Sequence, residues 1–175
     1  LYLPPAISPP HGLGVAHVTL HTSIASVPGL LSTGSILERI DLIDGFLRQV
    51  GCPAPRIGIC ALNPHASDDG LFGDEENLVF RPAIDALCKA DIQVEGPISA
   101  DTVFNRTLNG QYDAVIAPYH DVGMAPFKTV AFGAGVNVTL GLPFVRTSPD
   151  HGTAFDIVDT SSADSSSMQA ALRMA

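Results

Sequence analysis

The stretch SILERIDLIDGFLRQVG, residues 35–51, decides the architecture. Its apolar residues Ile36, Ile40, Ile43, Leu47 and Val50 recur every three or four positions, the spacing that lines one face of an α-helix, and Gly51 supplies the stop. Ser35 and Glu38 stand at capping-box spacing, which starts the helix at Ser35. Short apolar, β-branched runs flank it, Val15 to Leu20 before and Arg56 to Leu62 after, and both read as buried strands. Strand, helix, strand with a crossover of this length implies a parallel, right-handed unit.

Downstream the alternation repeats. Leu78, Ile84 and Leu87 continue a helical pattern that Pro82 either starts or kinks, and Ile92 to Val94 reads as a strand. Asp101 can cap a helix over Thr102 to Leu108, and Asp113 to Ala117 forms a further buried strand. Val136 to Leu140 is another strand candidate, and a final helix of about two turns covers Met168 to Met174. There is no internal repeat, heptad or low-complexity linker. Residues 1–175 therefore read as a single α/β unit, a mostly parallel sheet with flanking helices, whose ligands belong outside the carboxyl ends of the strands.

With 46% hydrophobic residues the chain can bury a sizeable core, and only 15% of it is charged. A net charge of −9 argues against nucleic acid and against an anionic membrane surface. A small phosphorylated or carboxylated substrate stays open, because cations that converge within a Debye length of roughly 8 Å outweigh the overall sign. Cys52, Cys60 and Cys88 form no Cys-x-x-Cys pair, and an odd count speaks for a reducing compartment, with the cytoplasm as the expected location. No apolar run approaches the roughly 18–20 residues that span a bilayer. Leu1 to Pro10 is apolar and proline-rich, without an initiator Met or a basic leader, so the chain reads as a piece of a longer protein.

Three histidines, His21, His65 and His120, each follow an apolar run where it passes into a polar loop. One such histidine is ordinarily a hydrogen-bonding loop residue, but three equivalent placements point to a metal site at the carboxyl edge of the sheet, with open positions for substrate or water. Their separations match no local zinc-finger or protease pattern. His17, mid-strand, reads instead as a satisfied core histidine, and His11 lies in a Pro/Gly turn. The segment after His120 places Lys128, Asn137 and Arg146 at expected loop positions, a point charge and a planar fork suited to a phosphate or carboxylate. Asp150-His151-Gly152-Thr153-Ala154 is a tight polar turn whose glycine lets a ligand approach the backbone, and the chain has no Gly-x-Gly-x-x-Gly after a strand.

Several motifs carry a resemblance: Asn63-Pro64-His65-Ala66 with Gly70-Leu71-Phe72-Gly73-Asp74-Glu75, Tyr119-His120-Asp121, the run Gly135 to Ser148, and Asp150-His151-Gly152-Thr153-Ala154. Together they are similar to the 4-hydroxythreonine-4-phosphate dehydrogenase family of pyridoxal phosphate biosynthesis. The likeness runs from about Val15 to the final helix and corresponds to the C-terminal part of a family member, the N-terminal lobe having no counterpart here. It implies a fold resembling the isocitrate/isopropylmalate dehydrogenases, a homodimer, and a divalent metal at the dimer interface held by His21, His65 and His120, with zinc expected and magnesium or cobalt as other ions. It further implies that Lys128, Asn137 and Arg146 contact substrate, and that His151, Gly152, Thr153, Ala154 and Asp156 face NAD.

For such an enzyme the resemblance implies metal-assisted oxidation of an alcohol by NAD, followed by decarboxylation. Asp121, beside His120, is the candidate general base. The chain departs from the family in having Leu20 before His21, Val122 after Asp121, and Asp159-Thr160-Ser161-Ser162 where a Gly-Thr-Gly-Lys stretch is usual. Three other readings compete: a dihydrodiol dicarboxylate dehydrogenase of aromatic catabolism, a metal-dependent hydrolase, and a truncated relative that binds metal or anion without turnover.

Overall fold

The helical stripe read from residues 36–50 is buried as its spacing requires: Ile36, Ile40, Ile43 and Leu47 all lie in the core. Each such side chain contributes about 1.5–3 kcal/mol relative to remaining in water. The computed structural model describes residues 1–5, 10, 12–88, 92–160 and 162–175. His11 and Ser161 lie outside the described residues. The chain runs β1 (Tyr2–Leu3), β2 (Leu13–His17), α1 (Val27–Leu30), α2 (Thr33–Gln49), β3 (Arg56–Cys60), α3 (Arg81–Cys88), β4 (Gln93–Ile98), α4 (Ala100–Leu108), β5 (Ala114–Ala117), α5 (His120–Ala131), β6 (Val136–Val138), β7 (Thr147–Pro149) and α6 (Ser166–Met174). No helix among the described residues is long and apolar enough to cross a membrane.

The strands form one sheet in the order β4-β3-β5-β2-β1-β6-β7. The first four are mutually parallel, β1 is antiparallel to both its neighbours, and β7 is antiparallel to β6. The expected mostly parallel sheet is present, with one refinement: β2 and β3 are not neighbours, because β5 lies between them and pairs with both. β5 is buried on both faces. Ala114 and Ile116 join the core under α2 and α3, while Val115 and Ala117 pack on the opposite side towards α4 and α5.

Two local expectations move. The capping box lies one turn earlier than Ser35: Ser32 is the N-cap, its Oγ accepts the Ser35 N–H at 3.1 Å, and the Ser35 Oγ accepts the Ser32 N–H at 3.1 Å. Ser35 is thus the reciprocal partner rather than the cap. Likewise, residues 120–131 form a helix instead of a loop, so Lys128 stands in the last turn of α5, while Asn137 lies in β6, on the strand expected at Val136 to Leu140. Gly123 and Pro126 inside that helix mask its periodicity in the sequence.

Candidate metal and substrate site

The register of β2 and β5 creates the site. His17 stands opposite Ala117, so both strands leave the sheet at the same edge. The exits are then locked together: the Val18 N–H donates to the Ala117 carbonyl at 2.9 Å, and the buried Thr19 hydroxyl donates to the Pro118 carbonyl at 2.9 Å. Beyond this clasp, His21 follows β2, and after β5 His120 opens α5.

The His21 and His120 ring centroids are 5.3 Å apart, with planes inclined at 47°. Two imidazoles bound to one tetrahedral ion through bonds of about 2.1 Å place their centroids at about 5 Å, so the pair suits a shared divalent metal. The Nδ1 of His120 lies 2.6 Å from Oδ1 of Asp121. This contact leaves Nε2 of His120 for a ligand and makes Asp121 an orienting neighbour of the ring.

His17 differs from its expected role. It is the last residue of β2, its ring stacks towards His120 at 6.1 Å, and its Nε2 is buried without a partner. Burial pushes its pKa down to about 4, with the N-terminal ammonium and His120 adding to the shift. Gly123 of α5 packs so closely over this ring and the strand below that a Cβ there would stand 2.8 Å from the Ala117 Cβ.

His65 does not join the pair. It is exposed in a short turn, Pro64–Asp68, where five consecutive non-glycine residues, His65 through the capping Asp69, take positive φ. Among the described residues no three His, Cys, Asp or Glu side chains come together as a metal-binding group. One chain thus presents two of the three histidines in one place and the third in another.

The pair opens into a cleft of about 760 Å³, lined also by His17, Met124, Asn137 and, from α2, Glu38 and Arg39. The two α2 residues escaped the sequence reading, although Arg39, directly before Ile40, sits on the margin of the buried stripe. Arg39 Nη1 pairs with Glu38 Oε2 at 2.8 Å. Asn137, facing Ser148 across β6 and β7, is the expected substrate residue that shares this cleft with the histidines.

The other expected substrate residues stand further out. Arg146 is exposed, donates from Nη1 to Thr139 Oγ1 at 2.6 Å, and lines an adjoining cleft of about 590 Å³ that shares residues 138–141 with the first. Lys128 Nζ donates to the Asp150 carbonyl at 2.8 Å and so ties α5 to the start of the His151 turn. In that turn His151, Gly152, Thr153, Ala154 and Asp156 are all exposed, and Ala154 takes a left-handed φ of 49°. A Cβ at Gly152 would meet open space, so a flat ligand could lie directly against the backbone there.

Comparison with known proteins places the chain in a family. Residues 8–175 match the family model described as pyridoxal phosphate biosynthetic protein PdxA. The 4-hydroxythreonine-4-phosphate dehydrogenase of Desulfosudis oleivorans is 48% identical over 165 residues, covering 93% of this chain and 49% of that protein. The D-threonate 4-phosphate dehydrogenase of Salmonella typhimurium is 47% identical over 163 residues, covering 93% and 50%. Among solved structures, the Klebsiella pneumoniae 4-hydroxythreonine-4-phosphate dehydrogenase superposes with a TM-score of 0.83 at 47% identity, over 91% of this chain and 48% of that one. A terephthalate 1,2-cis-dihydrodiol dehydrogenase from Burkholderia xenovorans gives 0.75 at 30% identity, over 91% and 51%. The chain spans about half the length of the curated relatives it matches. In sequence over nearly its whole extent, and in fold, it belongs to the PdxA family, a lineage of dehydrogenases.

Proposed function

We propose that this chain forms part of a cytoplasmic, homodimeric, NAD-dependent and divalent-metal-dependent dehydrogenase that oxidises and decarboxylates 4-hydroxythreonine 4-phosphate or a neighbouring four-carbon acid phosphate. The observation that carries the reading is the His21–His120 pair, poised at the spacing of a shared ion at the mouth of a cleft that also holds Asn137. The phosphate class is preferred over a dihydrodiol because the phosphate-named relatives are 47–48% identical and the dihydrodiol enzyme 30%.

His21 and His120 would hold the metal, zinc in the first instance, and His65 would complete the site from a second copy of the chain. When bound, such an ion would supply Lewis acidity to the substrate oxygens, and NAD would serve as the hydride acceptor. Asn137 orients the substrate at the cleft floor by its amide. Arg146, on the adjoining cleft, and Lys128, held through the Asp150 carbonyl, would supply the cationic N–H donors for a phosphate. The open backbone at Gly152 would receive part of NAD, with His151, Thr153, Ala154 and Asp156 around it.

Asp121 has two possible duties that a single substitution separates. If it orients His120, Asp121→Asn weakens zinc binding by about tenfold and leaves the pH profile of turnover in shape. If it is the general base, zinc affinity holds and the limb of the profile that reports its ionisation disappears.

The test of the whole reading is NADH formation on mixing the chain with NAD, zinc and 4-hydroxythreonine 4-phosphate, alongside a zinc titration. Turnover that needs all three components supports it. Zinc binding without NADH leaves a non-catalytic relative, and phosphate release without NAD makes the site a hydrolase.

A further inference from the structure

We propose that Glu76 is the positioning residue for His65, acting through the Asn63–Ser67 turn. The inference rests on the reading of His65 as a metal ligand, and its observations lie outside the His21–His120 cleft. Glu76 is 0% exposed, yet it is a carboxylate, and among the described residues no cation pairs with it. Its Oε1 accepts both the Leu62 N–H at 2.9 Å and the Asn63 N–H at 2.8 Å, and its Oε2 accepts the Asn63 side-chain amide at 2.9 Å. That amide also donates to Glu75 Oε2 at 2.7 Å.

A buried charge satisfied only by N–H donors is a costly way to close a loop, and an apolar side chain would serve packing alone better. What the carboxylate adds is a rigid grip on two consecutive backbone N–H groups just before the turn. On the far side of His65 the buried Ser67 hydroxyl donates to the Gly73 carbonyl, a second anchor. Gly73, at φ +145°, lets the chain come back over Asn63: a Cβ there would stand 2.8 Å from Asn63 Nδ2. Between the anchors, two residues from each, His65 opens the left-handed run with φ 52°, which carries φ 54°, 72°, 46° and 56° through Asp69. L-residues leave that region readily unless their flanks are held. Glu76 therefore fixes where the exposed imidazole stands, without touching any ligand itself.

The experiment uses the 175-residue chain with Glu76→Ala and Glu76→Gln, each alone and with His65→Ala. Two quantities are read: hydrogen exchange of the Leu62 and Asn63 amides without metal, and zinc affinity by calorimetry. The expected result for Glu76→Ala is fast exchange at both amides and zinc binding weakened about 10- to 100-fold. Glu76→Gln, whose carbonyl still accepts both N–H groups, should fall between wild type and Ala in both readouts. In the His65→Ala background the Glu76 substitutions should add no further loss of zinc affinity.

Equal losses with and without His65 would overturn the proposal, since they mark general destabilisation, and so would wild-type zinc affinity in the Ala variant. If Glu76→Ala does not fold, wild-type values for Glu76→Gln in both readouts overturn it. Should the unmodified chain bind no zinc, the metal reading falls by itself, and exchange decides the positioning: protected Leu62 and Asn63 amides in the Ala variant refute it, their loss upholds it.

Discussion

His17 is half-buried, but its Nε2 is shut off from solvent and unpartnered, so it titrates against the fold. Its folded pKa of about 4 lies below the ordinary 6.5, so the unfolded chain holds the proton more tightly. Stability is fully present above pH of about 6.5 and is lost as the pH falls towards 4, by roughly 3 kcal/mol as an upper bound. Replacing His17 by Leu removes this cost along with the unsatisfied nitrogen. We expect urea midpoints measured between pH of about 7 and 4 to fall less steeply for His17→Leu than for wild type, and an unchanged slope would refute the assignment. At this scale the sequence showed which residues carry chemistry more readily than how they are placed. The apolar runs ending before His21 and His120 marked both as edge residues, and they do meet. His17 escaped because its neighbour His120 lies 103 positions away along the chain. Arg39 escaped because a cation beside a core stripe looks the same whether it faces bulk water or a cleft.

Helix α5 connects the residues to the sheet, and its seating depends on Gly123. With the His17 ring of β2 nearest and the Ala117 Cβ of β5 2.8 Å from where a Cβ would stand, Gly123→Ala must lift the first turn of α5 away from both strands. The same turn carries His120, so one methyl group should act on both stability and site. We expect a loss of about 1–3 kcal/mol in thermal or urea unfolding, together with weaker zinc binding. Retention of wild-type affinity would show that His120 does not depend on how closely α5 docks. α2 could be read from its sequence because five apolar residues keep step with 3.6 residues per turn and nothing interrupts them. α5 could not, since Gly123 and Pro126 break that step and only the packing against β2 and β5 restores the helix. The turn after Asn63 was legible as a loop, whereas its left-handed path was not: His and Asp tolerate positive φ singly, but nothing in His65, Ala66, Ser67, Asp68 and Asp69 announces five such residues in succession.

At the level of the whole molecule, the separation of His65 from the His21–His120 pair within one chain predicts complementation between chains. A His65→Ala chain and a His120→Ala chain, each weak in zinc binding, should recover one intact site per mixed dimer after joint refolding. If the mixture binds no more zinc than its components, the site does not draw on two copies. Zinc at a hundredfold excess over its dissociation constant should also raise the unfolding free energy of the wild type by about 3 kcal/mol. The α/β class followed from alternating strand and helix patterns, but strand order did not. Nothing local in residues 13–17 or 56–60 announces that a strand from residues 114–117 will enter between them. That insertion has a kinetic consequence. Gly14 pairs with Ala114, so the central β2–β5 ladder closes a loop of about a hundred residues, among the slowest kinds of contact a chain can make. Helix α2 can form early from neighbours in sequence, whereas the edge that brings His21 to His120 assembles only when this loop shuts. A nascent chain leaving the ribosome therefore cannot bring His21 and His120 together until the strand at residues 114–117 and the residues just after it have emerged, about a hundred residues behind the first histidine.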